Sequence, residues 1–106
     1  MRVLFDQGTP VPLRAFLSQH EVSTAFERGW SNLKNGELLA AAERDGFTVF
    51  VTTDSNLRFQ QNLTARRIAI VVLLSTSWPR IERTVDAVIT AVGAAAPGSF
   101  AEVQIP

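Results

Sequence analysis

With 106 residues, 46% of them hydrophobic, the chain has material for a single domain, residues 1–106, with one buried core. Ten Lys and Arg offset ten Asp and Glu, so no overall field draws it to nucleic acid and any such binding falls to a local patch. Zero cysteines exclude disulfides and thiolate-bound zinc, and His20 alone cannot build a histidine metal centre, which leaves oxygen ligands for any metal chemistry.

The chain opens with a short unalternating apolar run, residues 3–5, the pattern of a strand covered on both faces, and the run stops at Asp6. Gln7, Gly8 and Thr9 form a turn with Thr9 as candidate N-cap. Pro10 and Pro12 then suit a first helical turn, and Leu13, Phe16 and Leu17 follow at helical spacing, which predicts a helix ending near His20. Residues 21–24 suit a short second strand, and residues 25–34 form an irregular segment.

An Asn cap at Asn35, strong helix formers and a closing Gly46 predict a helix over residues 35–46. A β-rich run, residues 47–53, ends at Asp54, and residues 55–63 suit a short polar helix. Residues 68–74 are the most hydrophobic stretch and predict a central or near-central strand. Pro79 begins a last long helix with Ile81, Val85, Val88, Ile89 and Val92 on one side, and residues 101–105 alternate as an edge strand with one wet face. Strand and helix alternate throughout, which predicts a three-layer α/β/α sandwich around a mostly parallel sheet. The first residues are too short in apolar content for a signal peptide, and no apolar stretch has bilayer-spanning length, so a cytoplasmic protein without membrane contact is expected.

Three carboxylates stand where such a sheet gathers residues that are distant in sequence. Asp6 ends the first run, Glu37 lies in the first turn of the middle helix and Asp54 ends the third strand. Clustered acids repel unless a cation joins them, and hard Mg²⁺ or Mn²⁺ prefers carboxylate and water and acts commonly with phosphates. The expected substrate is a phosphodiester, and Arg28, Lys34 and Arg58 would steer phosphates while Trp30 stacks on a base. Each residue also has a structural reading: Asp6 and Asp54 as turn or cap residues, Glu37 as a partner of the helix dipole, the cations as ordinary surface charge and Trp78 as a packing anchor.

Leu4-Phe5-Asp6 before a proline-started helix, Asn35-Gly36-Glu37-Leu38-Leu39, and Val51-Thr52-Thr53-Asp54-Ser55-Asn56-Leu57 together resemble the compact PIN-like proteins of the DUF5615 group, related to VapC-type toxin ribonucleases. The resemblance spans most of the chain. It implies a PIN-like fold, Asp6, Glu37 and Asp54 as catalytic and metal-binding acids, and a metal-dependent ribonuclease that acts on RNA as a toxin beside a small antitoxin protein. Gln7-Gly8 stands where that group usually shows Glu-Asn, and Asn56-Leu57 where it usually shows Asp and Phe. Asn56 can hold a metal-bound water through its carbonyl but adds no charge.

Those departures also suit a degenerate PIN-like domain that binds a partner protein. A phospho-receiver reading fails because Gln7 stands where a second acid is needed and the sole lysine, Lys34, is far from the fifth strand. A dinucleotide-binding reading fails because residues 6–10 lack the glycine turn. Val103, Ile105 and the apolar last helix would permit a homodimer.

Overall fold

The computed structural model describes residues 1–60, 62, 63 and 65–106. Five strands form one all-parallel sheet: β1 (Arg2–Phe5), β2 (Glu21–Thr24), β3 (Val49–Thr52), β4 (Ala69–Leu73) and β5 (Phe100–Val103), in the order β2-β1-β3-β4-β5. Four α-helices accompany them, α1 (Asn35–Arg44), α2 (Leu57–Gln60), α3 (Trp78–Arg83) and α4 (Val85–Gly93), together with a 3₁₀ helix at Val11–Leu17.

Strand residues alternate between two cores, as period-two geometry requires. Val3, Phe5, Val49, Val51, Ala69, Val71 and Leu73 face the layer made by the 3₁₀ helix, α3 and α4. Leu4, Phe50, Ile70 and Val72 face α1 and α2. Every residue of β3 and β4 is buried, which explains why β4 reads as an unbroken apolar run and β3 departs from one only at Thr52. The expected α/β/α sandwich is present, with strand existence and order along the chain as the apolar runs indicate.

The helices differ from expectation in three places. Thr9 does not cap the first helix: its side chain turns inward and is buried, and Pro10 occupies the cap position without a side-chain hydrogen bond. The helix is 3₁₀ and ends at Leu17 rather than near His20, and Pro12 disfavours the α conformation at Val11. Lys34, not Asn35, is the N-cap of α1, and its N–H is accepted by Glu37 Oε1 at 3.3 Å. The last long helix is two, broken at Thr84, whose hydroxyl donates back to the carbonyls of Arg80 and Ile81 at 3.1 and 3.3 Å and competes with the helical pattern. The expected helix over residues 55–63 is shorter, Leu57–Gln60, and residue 61 of the expected span lies outside the described residues.

Gly46 closes α1 as its sequence position indicates. Its φ of +83° is left-handed, and the N–H groups of Gly46 and Phe47 return to the carbonyls of Glu43 and Ala42 at 3.1 and 2.9 Å. Val103 and Ile105 are buried in the chain's own core, so they offer no surface for a second copy. Among the described residues no helix is long and apolar enough to cross a membrane.

Glu43 fastens α1 to the segment before β4. Its carboxylate accepts from Arg66 Nη1 at 2.8 Å and from the N–H groups of Arg67 and Ile68 at 2.7 and 3.2 Å. Burial opposes ionisation there, yet Arg66 and the two backbone donors prevail and hold the carboxyl below its ordinary range. A depressed folded pKa supplies stability above the unfolded value that is lost as pH falls through the folded one. Glu43→Gln should therefore cost about 2 kcal/mol at neutral pH, the scale of charged hydrogen bonds. The difference should shrink in melts taken progressively below about pH 4.5, near the unfolded carboxylate value.

Candidate functional site

The connections leave β1 in one direction toward β2 and reach β3 on its other side, so the chain's direction along the sheet reverses between β1 and β3. The crevice outside the carboxyl ends of strands at such a switch point is the usual ligand site of an open parallel sheet. Phe5 pairs with Val51, and Asp6 N–H donates to the Val51 carbonyl at 3.2 Å, so Asp6 and the 52–54 segment leave the sheet side by side.

Two buried threonines organise this edge. Thr52, 1% exposed, donates its hydroxyl to Asp6 Oδ2 and accepts the Asp54 N–H at 3.0 Å, so one Oγ1 ties the two acids together. Thr9 Oγ1 lies 2.7 Å from Asp6 Oδ1 and 2.9 Å from the Val51 carbonyl, so its single proton has two acceptors. Both Asp6 oxygens thus face hydroxyl groups, which fix the carboxylate plane. Asp54 Oδ1 accepts the Asn56 N–H at 3.0 Å in a local turn, and Oδ2 accepts from Asn35 Nδ2 at 3.4 Å. The amide of Asn35 joins the first turn of α1 to the same edge.

Glu37 stands in that first turn but is exposed, with its carboxylate on the Lys34 N–H. The structure therefore brings Asp6 and Asp54 together through Thr52 and leaves Glu37 on its own helix. Among the described residues no three His, Cys, Asp or Glu are gathered as a metal-holding group. The donors at the edge, two half-buried carboxylates and the carboxamide of Asn56, are hard oxygens of the kind Mg²⁺ and Mn²⁺ take. Gly8 passes close by: a Cβ there would stand 2.8 Å from Thr53 Oγ1 and 3.8 Å from Asp6 Oδ1.

The other expected contacts are dispersed. Arg28 pairs with the Asp45 carboxylate and lies 5.0 Å from the Trp30 ring and 5.4 Å from the Phe47 ring. Trp30 meets Phe47 edge-on at 6.1 Å within the second core. Phe47 and Asp45 precede β3, so both side chains are drawn toward the amino ends of the strands, away from the acids. Arg58 lies over Phe59 and Phe100 at 4.9 and 5.8 Å and 3.9 Å from Glu102, which takes it to the β5 edge. Of the three expected cations, Lys34 is the one whose backbone, next to Asn35, stays near the crevice. His20 is also remote, with Nδ1 3.3 Å from the Met1 amine, and partial burial and that positive amine lower its pKa. Trp78 does anchor the start of α3, 5.9 Å from Phe16.

Thr9 and Thr52 are the site residues that sequence reasoning missed. Their signal was a hydroxyl at the end of an otherwise apolar strand and another beside an acid-bearing turn, both of which read equally as β-formers or caps. Comparison with protein-family models, curated proteins and solved structures returns no match. Function therefore rests on this edge and its chemistry.

Proposed function

We propose that the chain is a metal-dependent ribonuclease of PIN-like type, hydrolysing RNA phosphodiesters in the cytoplasm as the toxin of a pair with a small antitoxin. The observation that carries this reading is the pair Asp6 and Asp54, tied by Thr52 at the switch point of a parallel sheet. Asp6 and Asp54, with Asn56 beside them, would hold Mg²⁺ or Mn²⁺. Bound there, the ion would supply an acidified water and neutralise charge on the phosphate.

The protein's own part is positioning. Thr9 and Thr52 hold the Asp6 carboxylate, and Asn35 with the Asn56 backbone holds Asp54, so neither acid has to be ordered when the ion arrives. Glu37 would join by releasing the Lys34 N–H, and Lys34 would meet a substrate phosphate as a point charge.

One observation favours the second reading, a degenerate PIN-like domain that binds a partner protein. The Glu37 carboxylate serves its own helix, and Asn56 brings no charge to the edge. Metal titration separates the two. A nuclease site should raise the thermal midpoint with millimolar Mg²⁺ or Mn²⁺, by about 2.7 kcal/mol of stability at a hundred times the dissociation constant, and should cleave single-stranded RNA only with metal. A midpoint indifferent to both ions, with no cleavage, selects the binding module.

A further inference from the structure

We infer that the cavity beside Asp6 is a nucleobase subsite, with Phe26 as its stacking platform; the inference rests on the ribonuclease reading and names how the substrate is gripped. The cavity has a volume of about 560 Å³, and its lining includes Asp6, Gln7 and Thr9 after β1, Thr24, Phe26 and Glu27 at and just after the end of β2, and Arg14. That volume lies within the range of ordinary small-molecule sites, roughly 300–1,000 Å³. A base seated there would leave its attached phosphate at the edge that carries Asp6.

Phe26 is 76% exposed, the most exposed large apolar side chain among the described residues. It is not on a loose loop. Thr24 N–H donates to Glu27 Oε1 and Glu27 N–H to Thr24 Oγ1, each at 3.0 Å, and Gly29 and Trp30 N–H groups return to the carbonyls of Phe26 and Ala25 at 3.0 and 2.9 Å. Arg14 grips Glu27 through two bonds of 3.0 and 2.9 Å and ties the turn to the 3₁₀ helix. That guanidinium, then the Thr24 N–H, hold the Glu27 carboxyl below its ordinary range.

A phenyl ring held in water by a rigid turn gains nothing for the fold, yet it offers a flat apolar face already in place. Aromatic faces of this kind bind single-stranded nucleic acid by stacking and tolerate any base. The Arg14 pair neutralises Glu27, so Asp6 is the one unpaired charge on the cavity wall, and an uncharged base enters without repulsion. Gln7, exposed on the rim, presents both a donor and an acceptor to a base edge. Trp30, the residue whose type most suggests stacking, is instead occupied by Phe47 and Arg28.

The test is titration with adenosine in EDTA, with ribose 5-phosphate as a control that carries the sugar and a phosphate but no base, followed by amide chemical shifts. Adenosine should perturb residues 6–9 and 24–27, and ribose 5-phosphate should not. Phe26→Ala should weaken adenosine binding about tenfold at an unchanged thermal midpoint, the scale of one stacked base, and Phe26→Trp should retain it. No adenosine binding, equal binding by Phe26→Ala, or shifts confined to residues 43–48 at the opposite end of the sheet would overturn the subsite. Phe26-dependent adenosine binding without metal-dependent cleavage would retain the subsite and remove the ribonuclease reading. Cleavage unaffected by Phe26→Ala would do the reverse.

Discussion

Under the proposed function, Asp54→Asn is expected to lower metal-dependent RNA cleavage roughly a hundredfold or more while shifting the thermal midpoint little, because the change would remove a ligand charge from the edge proposed to hold the ion. The substituted side chain keeps an oxygen for the Asn56 N–H, and Asn35 can turn its own carbonyl toward the new amide, so both contacts of the acid survive. The stabilisation by Mn²⁺ should disappear together with cleavage, since both need the ion held on the folded state. Asp6→Asn tests the same site less cleanly. Both Asp6 oxygens face hydroxyls, and an amide in place of one of them opposes donor to donor until a threonine reorients. A loss of about 1 kcal/mol in stability should therefore accompany its loss of activity. Wild-type cleavage rates in Asp54→Asn would reject the assignment of these acids.

Thr52→Val is expected to be the most destabilising conservative change at the site. Valine matches threonine in shape and suits the buried strand, so the effect isolates the hydroxyl. Its loss leaves the Asp6 carboxylate short of a donor and the Asp54 N–H without its acceptor in a part-buried setting, which costs about 2 kcal/mol. For a domain of this size that corresponds to about 10 °C in the thermal midpoint. Thr52→Ser, which keeps the oxygen, should recover most of the difference. Differential scanning of the three proteins decides it: a valine variant as stable as wild type would mean that the hydroxyl is not what joins the two acids.

Residues 3–5 and 68–74 show why the sheet was legible from sequence. Parallel strands covered on both faces must be apolar without interruption, and few other structures demand that of so short a run. The acids at the ends of β1 and β3 were legible for the same reason, since each is the first charge after such a run. Their linkage was not, because Thr9 and Thr52 act through hydroxyl direction, and pattern reports side-chain type but not where a hydroxyl points. Thr9 read as a cap for want of that information, and the break at Thr84 was hidden because Ile81, Val88 and Val92 keep an apolar stripe across two helices. Arg28 and Trp30 were misplaced by segment proximity. Their backbone follows β2 near the crevice, but long side chains reach Asp45 and Phe47 at the other end. Phe26 carried no periodic signal at all, and only the hydrogen bonds of its turn reveal that it is held outward.

The strand order also bears on synthesis at the ribosome. β1, the second element inward, cannot acquire both neighbours until residue 52 has emerged, and the four strands β1 to β4 are complete only at residue 73. By then every side chain of the crevice has been made, yet the sheet face that α3 and α4 will cover is still bare apart from the 3₁₀ helix. A nascent chain paused there would present Val49, Val51 and Val71 to its surroundings, a sticky interval typical of non-local parallel pairing. Residues 78–93, which contribute no acid to the edge, are thus what covers this face.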